Sequence, residues 1–425
     1  MPAFAPEDGE AADYAAQLTQ QWSDVARFHA DTYGEDTPYS DFARAWRAEL
    51  FAPSEWAALF RDAGARYVVL TAKSRDGFCL WPSAEAWPWH SEAAGPRRDI
   101  VGEVADAVRG AGLRFGVEVA LSEPGHALYQ ADQTRFVNAR LLPQLAGVVA
   151  GYRPDLVYGA HAGAQMSNAW RTADFVAWLY NRAPAPADLV VNDQWGADTP
   201  GEHGGVVQVT PARVRRLSAR AAVAGWEEVA PLAVSRAFNR NAPADAYQSV
   251  DRLIERLVEV VSLGGNLLLA VGPRADGRFP VVVEERLRGL GAWLDAYGAG
   301  IYGTVPWEGT AEAGLYFTAK DDTVYVFDFT GAEELSVTRP APRPVADDGA
   351  GTTEGEGEGE GVLAVTEVLE AAVLEGATLL GPDLELTPTE DNFNWRFDLS
   401  DAPAPEASPC RVLQLDLAYE RLDNE

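Results

Sequence analysis

Between about Ser54 and Gly300 the sequence repeats one unit, in which a helical pattern is followed by a short run of β-branched residues. The segment PSEWAALFRDAGARYVVLTAK shows it: apolar residues recur at helical spacing, Gly64 ends the helix, and a strand is predicted over Tyr67–Thr71. Successive helix–strand units are typical of a parallel α/β sheet. Their repetition within one domain favours a TIM-like (β/α) barrel, whose chemistry lies where the strands end.

The same pattern predicts several further elements of the barrel. DIVGEVADAVRGAGLRFGVEVAL repeats the unit and ends in a strand. The predicted strands are Phe115–Leu121, Leu156–Gly159, Leu189–Asn192 and Asn266–Val271. The predicted helices are Ala246–Leu263 and Val283–Tyr297.

The pattern changes after Trp307. GLYFTAKDDTVYVFDFTG alternates and is rich in β-branched residues, and ATLLG and VLQLDLAYE follow, which predicts a small antiparallel β-sandwich. A chain of 425 residues is long enough for two domains. We therefore expect a barrel at 1–307 and a sandwich at 308–425. An acidic Gly/Glu/Pro-rich loop at about 338–362 cannot bury a core.

The charge of the chain limits its partners. Lys+Arg total 34 against 64 Asp+Glu, a formal net charge of -30, so nucleic acid and anionic membranes are not expected as partners. Lys73 and Lys320 are the only lysines. An acidic surface poor in lysine favours a halophilic source with a salt-rich cytosol, and a GC-rich genome is the alternative explanation.

The remaining composition favours a soluble cytoplasmic protein. The first residues, MPAFAPEDGEAADYAAQ, lack the apolar region of a signal peptide, and no apolar run is long enough to span a membrane. Cys79 and Cys410 lie far apart and outside any metal-binding spacing, which argues against a zinc site. Self-association into a homo-oligomer stays open.

A series of motifs carries a family resemblance. YGEDTPYSDFARAWRAELFAPSEWAALFRDAGARYVVLTAKSRDGFCLWPS is followed in order by GPRRDIVGEVADAVRGAGLRFGVEVALSE, VAWLYN, VVNDQWG, GEHGG, WEEVAPLAVSRAFNRN and VVSLGGNLLLAVGPRADGRFP. The chain resembles the α-L-fucosidases of glycoside hydrolase family 29 from about Tyr33 to Trp307. LEGATLLGPD resembles the C-terminal β-domain of that family.

The resemblance implies a catalytic (β/α) barrel with a β-sandwich, and retaining hydrolysis of terminal α-L-fucosides. Retention requires two carboxyl groups about 5–5.5 Å apart, one as nucleophile and the other as acid/base. No cofactor is implied. The expected ligand is fucose or another sugar, bound through polar side chains and Trp faces.

The family nucleophile is missing. It is the Asp of FDG in PDVLWFDGDW, and this position is Ala160 here, preceded by Gly159 where the family has an aromatic residue. Asp155 matches another family Asp and lies about 16 Å from the mouth of the barrel, because a strand rises about 3.3 Å per residue. His161 is interpreted as a polar residue at the rim, with sugar contact as its predicted role.

The family's paired histidines, which contact fucose, are also replaced. In TAKSRDGFCLW their positions hold Ser74 and Arg75, so the pocket is expected to differ from that of the family. Asp76, Phe78 and Trp81 remain. We predict Asp76 and Trp81 as substrate-binding residues, with packing as the alternative role for the two aromatic side chains.

The first strand of the family, of the FGIFIHWG type, has no counterpart in the sequence. QLTQQWSDVARFHADT resembles the helix and loop that follow that strand, and His29 is interpreted as structural. A barrel without its first strand would expose two sheet edges.

Three further family positions differ. Glu118 replaces the aromatic residue of the family motif FGLYYS, Thr210 replaces the Glu of FYTTEYG, and Ala270 replaces the Asn of LLLNIGP. The changes fall mostly on sugar-contacting or catalytic positions, while framework motifs such as GGNLLL remain. This distribution indicates that the scaffold was kept after the ordinary chemistry had gone.

Glu227 in GWEEVAP matches the family motif PWEEC and is our candidate acid/base residue. Glu228 and Glu123 rank below it for this role. Glu123, Trp195 and Trp226 complete the predicted substrate-binding residues.

Three hypotheses follow. The first is a fucosidase-like protein with little or no hydrolase activity. The second is an active glycosidase that uses another carboxylate or an external nucleophile. The third is a sugar-binding module or companion subunit of a catalytic relative, which an intact cleft of Trp195, Trp226 and Glu227 would favour.

Overall fold

The computed structural model describes residues 14–18, 20, 22–210, 225–307, 314–340, 343–344, 369–390, 394–403 and 408–421. The chain divides into two compact units, one ending at Asp295 and the other beginning at Ala296, with residues 261–263 assigned to the second. The segment MPAFAPEDGE lies outside the described residues, and so does most of the acidic loop expected at 338–362.

The first unit contains seven parallel strands among its described residues, in sequential order around the sheet. A bridge between Asn192 and Val206 joins the fourth strand to the fifth. This order, with helices between strands, confirms the predicted TIM-like barrel. The strands are β1 (Tyr67–Lys73), β2 (Arg114–Ala120), β3 (Leu156–Ala160), β4 (Val190–Val191), β5 (Val207–Val209), β6 (Trp226–Pro231) and β7 (Gly265–Ala270).

The helices of the described residues follow the predicted pattern, and most connect successive strands. Those between strands carry an apolar face toward the sheet. They are α1 (Tyr14–Leu18), α2 (Asp24–Tyr33), α3 (Ser40–Ala45), α4 (Pro53–Asp62), α5 (Ile100–Gly110), α6 (Ala127–Ala131), α7 (Gln133–Phe136), α8 (Leu142–Tyr152), α9 (Ser167–Trp170), α10 (Thr172–Asn181), α11 (Val250–Ser262) and α12 (Val281–Tyr297).

The predicted elements agree with the observed ones except at their ends. The strand expected over Leu189–Asn192 is shorter, because the Asn192 side chain binds the backbone of Gly159 through both its oxygen and its nitrogen. The helix expected from Ala246 begins at Val250, after a separate turn, and the Ser249 hydroxyl accepts from the Arg252 amide at 3.2 Å.

Alternation along the strands separates an outer face from an inner face. On β2, Phe115, Val117 and Val119 are fully buried in the core cluster that also contains apolar residues of α5 and α8. Side chains of successive strand residues point to opposite faces, so Glu118 and Ala120 point into the barrel. The apolar outer positions hold the helices against the sheet.

Among the described residues, the barrel is open between β7 and β1. Within the described part of the chain, no strand pairs with the outer edge of either. Tyr67 to Leu70 are partly exposed and Thr71 is exposed, and on β7 Asn266 is exposed while the next four residues are partly exposed. The corresponding residues of β3 are almost all buried. This opening lies before β1, where the family that the sequence resembles has its first strand.

The second unit is the predicted antiparallel β-sandwich. One sheet has the order β12-β13-β17-β10-β9-β8, with β14 paired to β13, and the other has the order β11-β16-β15. Their strands are β8 (Val305–Pro306), β9 (Leu315–Lys320), β10 (Thr323–Asp328), β11 (Glu334–Thr338), β12 (Arg343–Pro344), β13 (Leu369–Leu379), β14 (Leu384–Glu385), β15 (Thr389–Glu390), β16 (Asn394–Asp398) and β17 (Arg411–Arg421).

The sandwich core contains side chains from both sheets, including Val326, Leu415, Val337 and Trp395. Alternation of apolar and polar residues places these on the inner faces. β8 pairs with β9 and therefore belongs to the sandwich. It precedes residue 307, after which the sequence predicts that the sandwich begins.

The open edges should exchange backbone hydrogen faster than the centre of the sheet. We expect peptides covering 67–73 and 265–270 to take up deuterium sooner than those covering 114–120 and 156–160, because edge amides lack strand partners. Hydrogen–deuterium exchange with mass spectrometry checks this. Equal protection of all four strands would contradict an open edge.

Candidate active site

The carboxyl ends of the parallel strands form the mouth of a (β/α) barrel, where active sites lie. At the end of β3, Ala160 occupies the position predicted to lack a nucleophile, and its side chain offers no reacting group. His161 follows in the left-handed region, with φ of 55°, and is exposed. Its carbonyl accepts a hydrogen bond from the Ser122 hydroxyl at 2.7 Å.

Asp76 and Trp81 lie in the loop after β1. The Asp76 carboxylate accepts from the Tyr39 hydroxyl at 2.9 Å and from the Phe78 amide at 3.0 Å, and burial raises its pKa above the ordinary range. Trp81 is buried in the main core, as is expected of a packing residue. Both carboxylate oxygens of Asp76 thus have protein partners that fix the loop.

Glu123 belongs to a buried charged cluster at the same end of the sheet. Its Oε1 lies 2.8 Å from Lys73 Nζ, and its Oε2 lies 2.8 Å from Arg140 Nε. Lys73 also donates to Gln144 Oε1 at 3.0 Å. Glu123 is 1% exposed, so it is held by two cations away from solvent. Such a cluster is costly to break, because each remaining charge would stay buried.

Glu227 points into the barrel and is surrounded by donors. Its Oε2 accepts from the Tyr67 hydroxyl at 2.7 Å and from the Tyr158 hydroxyl at 3.2 Å, and its Oε1 accepts from Gln208 Nε2 at 2.8 Å. It is 1% exposed. Loss of hydration on burial is the main cause that raises its pKa, and the three hydrogen bonds act against this.

Trp226 and Glu228 point to the other face of the sheet. Both neighbour Glu227 in β6, so their side chains alternate with it. Glu228 forms a buried ion pair with Arg256 of α11, with Arg256 Nε 2.9 Å from Glu228 Oε1. A Cβ at Gly265 would lie 2.5 Å from the Trp226 ring, so this ring packs on β7. Trp226 therefore does not share a cleft with Glu227, and the arrangement that would have favoured a sugar-binding module is not found.

Trp195 follows β4 and packs beside the end of β3. It is 3% exposed, and its ring lies 5.5 Å from Phe175 between centroids. A Cβ at Gly159 would lie only 2.9 Å from Trp195 Cε3. The ring thus occupies space that an aromatic side chain at residue 159 would need, which accounts physically for the glycine at that position.

Several residues of the inner face were not predicted. Tyr67, Tyr158 and Gln208 hold Glu227, and Thr71 donates to Glu118 Oε1 at 3.1 Å. Alternation in YVVLTAK already places Tyr67 and Thr71 on one face of β1, and in LVYGA it places Tyr158 on the same face of β3 as Ala160. Lys73 had a further signal, because it is one of two lysines in a chain that otherwise uses arginine.

The comparisons with known proteins agree with this architecture. A sequence model of the family described as Alpha-L-fucosidase matches residues 3–299. Tissue alpha-L-fucosidase of Rattus norvegicus is 36% identical over 335 residues, covering 76% of this chain and 72% of that protein. The tissue alpha-L-fucosidase of Mus musculus is 33% identical over 391 residues, covering 88% and 82%.

Solved structures show the same fold. The crystal structure of Thermotoga maritima alpha-fucosidase in complex with fucose is 28% identical, with a TM-score of 0.75, and the match covers 98% of this chain and 92% of that one. The barrel followed by a β-sandwich thus defines a protein of glycoside hydrolase type. The chain belongs to the α-L-fucosidase family, glycoside hydrolase family 29.

No helix within the described residues is both long enough and apolar enough to cross a bilayer.

Replacing Glu227 with Gln should change how stability depends on pH. The folded state raises the pKa of Glu227, so it binds this proton more tightly than the unfolded state. The wild type therefore loses stability as pH rises from the unfolded pKa through the folded one. Glu227→Gln has no such titration. Its free energy of unfolding should therefore rise relative to that of the wild type by about 1.4 kcal/mol for each pH unit between those two pKa values.

Urea unfolding of both proteins over a pH series measures this difference. Asp106→Asn is the matched control, because Asp106 is an exposed acid on α5. A stability difference between wild type and Glu227→Gln that stays constant with pH would contradict the shifted titration.

Proposed function

We propose that this α-L-fucosidase family protein hydrolyses α-L-fucosides little or not at all. Ala160 carries the proposal, because a methyl group stands where the family reaction places its nucleophilic carboxylate. Retaining hydrolysis proceeds through a covalent glycosyl ester on that carboxylate. Without it the sugar has no group positioned to attack its anomeric carbon.

The carboxylates on the seven described barrel strands do not supply a replacement pair. They are Glu118, Glu227 and Glu228. Glu227 is buried with both oxygens bonded to protein donors, and Glu228 lies on the outer face in an ion pair with Arg256. A retaining site needs two accessible carboxyl groups, and these strands offer only Glu118.

Acidic side chains at the strand ends also accept hydrogen bonds from the protein. Asp193 is buried, and its oxygens accept from the amides of Gly201 and Gln208 at 2.8 and 3.1 Å. Asp198 accepts from both the amide and the hydroxyl of Ser167 at 2.6 Å. Together with Asp76 and Glu123, these acids hold loops in place. Their bonds support a scaffold that keeps its shape without the hydrolytic chemistry.

We further propose that a sugar is the ligand of this barrel and that the protein works in a salt-rich cytoplasm. Ser74 and Arg75 replace the family's two fucose-contacting histidines, so the bound sugar meets a different set of donors. A net charge of -30 with only two lysines supports a high-salt setting, where screening relieves repulsion between surface acids.

Hydrolysis of an aryl α-L-fucoside in molar KCl tests the proposed inactivity. We expect the wild type to release no more product than Glu227→Gln. Ala160→Asp should remain inactive too, because Ser74 and Arg75 have also changed the pocket. Turnover by the wild type that is lost in Glu227→Gln would contradict the proposal. Activity gained only by Ala160→Asp would show that the nucleophile alone had been lost.

A further inference from the structure

Glu118 on β2 is the one strand carboxylate of the described barrel that solvent can reach. It is partly exposed, and its hydrogen bond from Thr71 is solvent-exposed. Glu227 is 1% exposed and Glu228 is fully buried. Glu118 has no ion pair among the described residues, and its Oε2 accepts no hydrogen bond from them.

The strand register places Glu118 beside the empty nucleophile position. Glu118 pairs with Tyr158 of β3, and two residues further on Ala120 pairs with Ala160. All four lie on the inner face by alternation. The step from Glu118 to Ala120 is about 6.6 Å along the strand, and neighbouring strands are about 4.8 Å apart. A glutamate on β2 is therefore a close neighbour of the position that lacks a carboxylate on β3.

Solvent reaches Glu118 beside Thr71. Thr71 is exposed and Glu118 is partly exposed. Ala120 and Ala160 are the inward residues that follow Glu118 and Tyr158 toward the strand ends, and Ala120 is 1% exposed. The Oε2 of Glu118, which accepts no hydrogen bond from the described residues, can thus meet a ligand on the side of Thr71.

The groups around Glu118 define the class of ligand. Thr71 supplies an exposed hydroxyl group at the same level, whereas the Tyr158 hydroxyl is buried and donates to Glu227. Carboxylate and hydroxyl groups bind the hydroxyls of a neutral sugar, and the negative charge disfavours anionic ligands. An exposed carboxylate with one free oxygen can accept two such hydroxyl hydrogens.

We propose that Glu118 is a sugar-binding residue of this barrel, one strand away from the vacant nucleophile position. It accepts hydroxyl hydrogens of a neutral sugar, with Thr71 holding the carboxylate in place. This inference rests on the proposed function in one respect, that the barrel binds a sugar. It assigns no covalent step to Glu118.

Calorimetric titration of L-fucose into the full chain in molar KCl tests the assignment. We expect the wild type to bind and Glu118→Gln to bind about tenfold more weakly, because a charge-assisted hydrogen bond becomes a neutral one. Thr71→Val should weaken binding less. Asp106→Asn removes one acid from the helix before β2 without touching the barrel interior, and it should bind like the wild type.

Thermal unfolding of each variant separates loss of binding from loss of fold. Equal affinities of wild type and Glu118→Gln for L-fucose would overturn the assignment, and so would absence of saturable binding by the wild type. Either result leaves the proposed lack of hydrolysis standing. Turnover of an aryl fucoside would overturn that proposal instead, without changing the binding comparison.

Discussion

The barrel interior depends on the hydrogen bonds that Glu227 accepts from Tyr67 and Tyr158. These link β6 with β1 and β3 across the inside of the sheet. The link to β1 is important because, within the described residues, β1 and β7 have no strand between them. A carboxylate can remain in so buried a position only while donors satisfy it. Tyr67 therefore connects two parts of the barrel that backbone pairing leaves apart.

This structural use of Glu227 affects its chemistry. A general acid must reach the leaving group of its substrate, whereas both oxygens of the Glu227 carboxyl group are bonded inside the barrel in this arrangement. Glu123 is in a similar position, since two cations hold it at the end of the sheet. Glu227 and Glu123, which the sequence offers as acid/base candidates, thus both make contacts inside the barrel. Glu118 differs because it is partly exposed and has a single hydrogen-bond partner among the described residues, Thr71.

The sequence predicted the architecture well because its signals are local. Helical periodicity, glycine stops and β-branched runs placed five of the seven described barrel strands to within one or two residues, and the change after Trp307 indicated the sandwich. The prediction that the nucleophile is missing also rests on a local signal, since it depends on one position of one motif, Ala160. These features depend on neighbouring residues and not on distant contacts.

The site was harder to predict because its contacts join distant parts of the chain. Glu123 meets Lys73 across fifty residues, and Glu227 meets Tyr67 across 160. A cleft shared by Trp226 and Glu227 is absent for a simpler reason, since adjacent strand residues face opposite sides. Applying that rule to WEEVAP separates Trp226 and Glu228 from Glu227. Alternation alone does not show which of the two faces is the inner one.

Covalent trapping tests the central claim, that this barrel has no carboxylate positioned to attack a fucosyl carbon. A 2-fluoro-fucosyl fluoride loses fluoride to a retaining nucleophile and leaves a slowly hydrolysed ester on that carboxylate. Intact-mass measurement after incubation in molar KCl should find the chain unchanged. A mass increase of one fluorofucosyl group, mapped by peptide sequencing to an Asp or Glu, would contradict the account and identify the nucleophile.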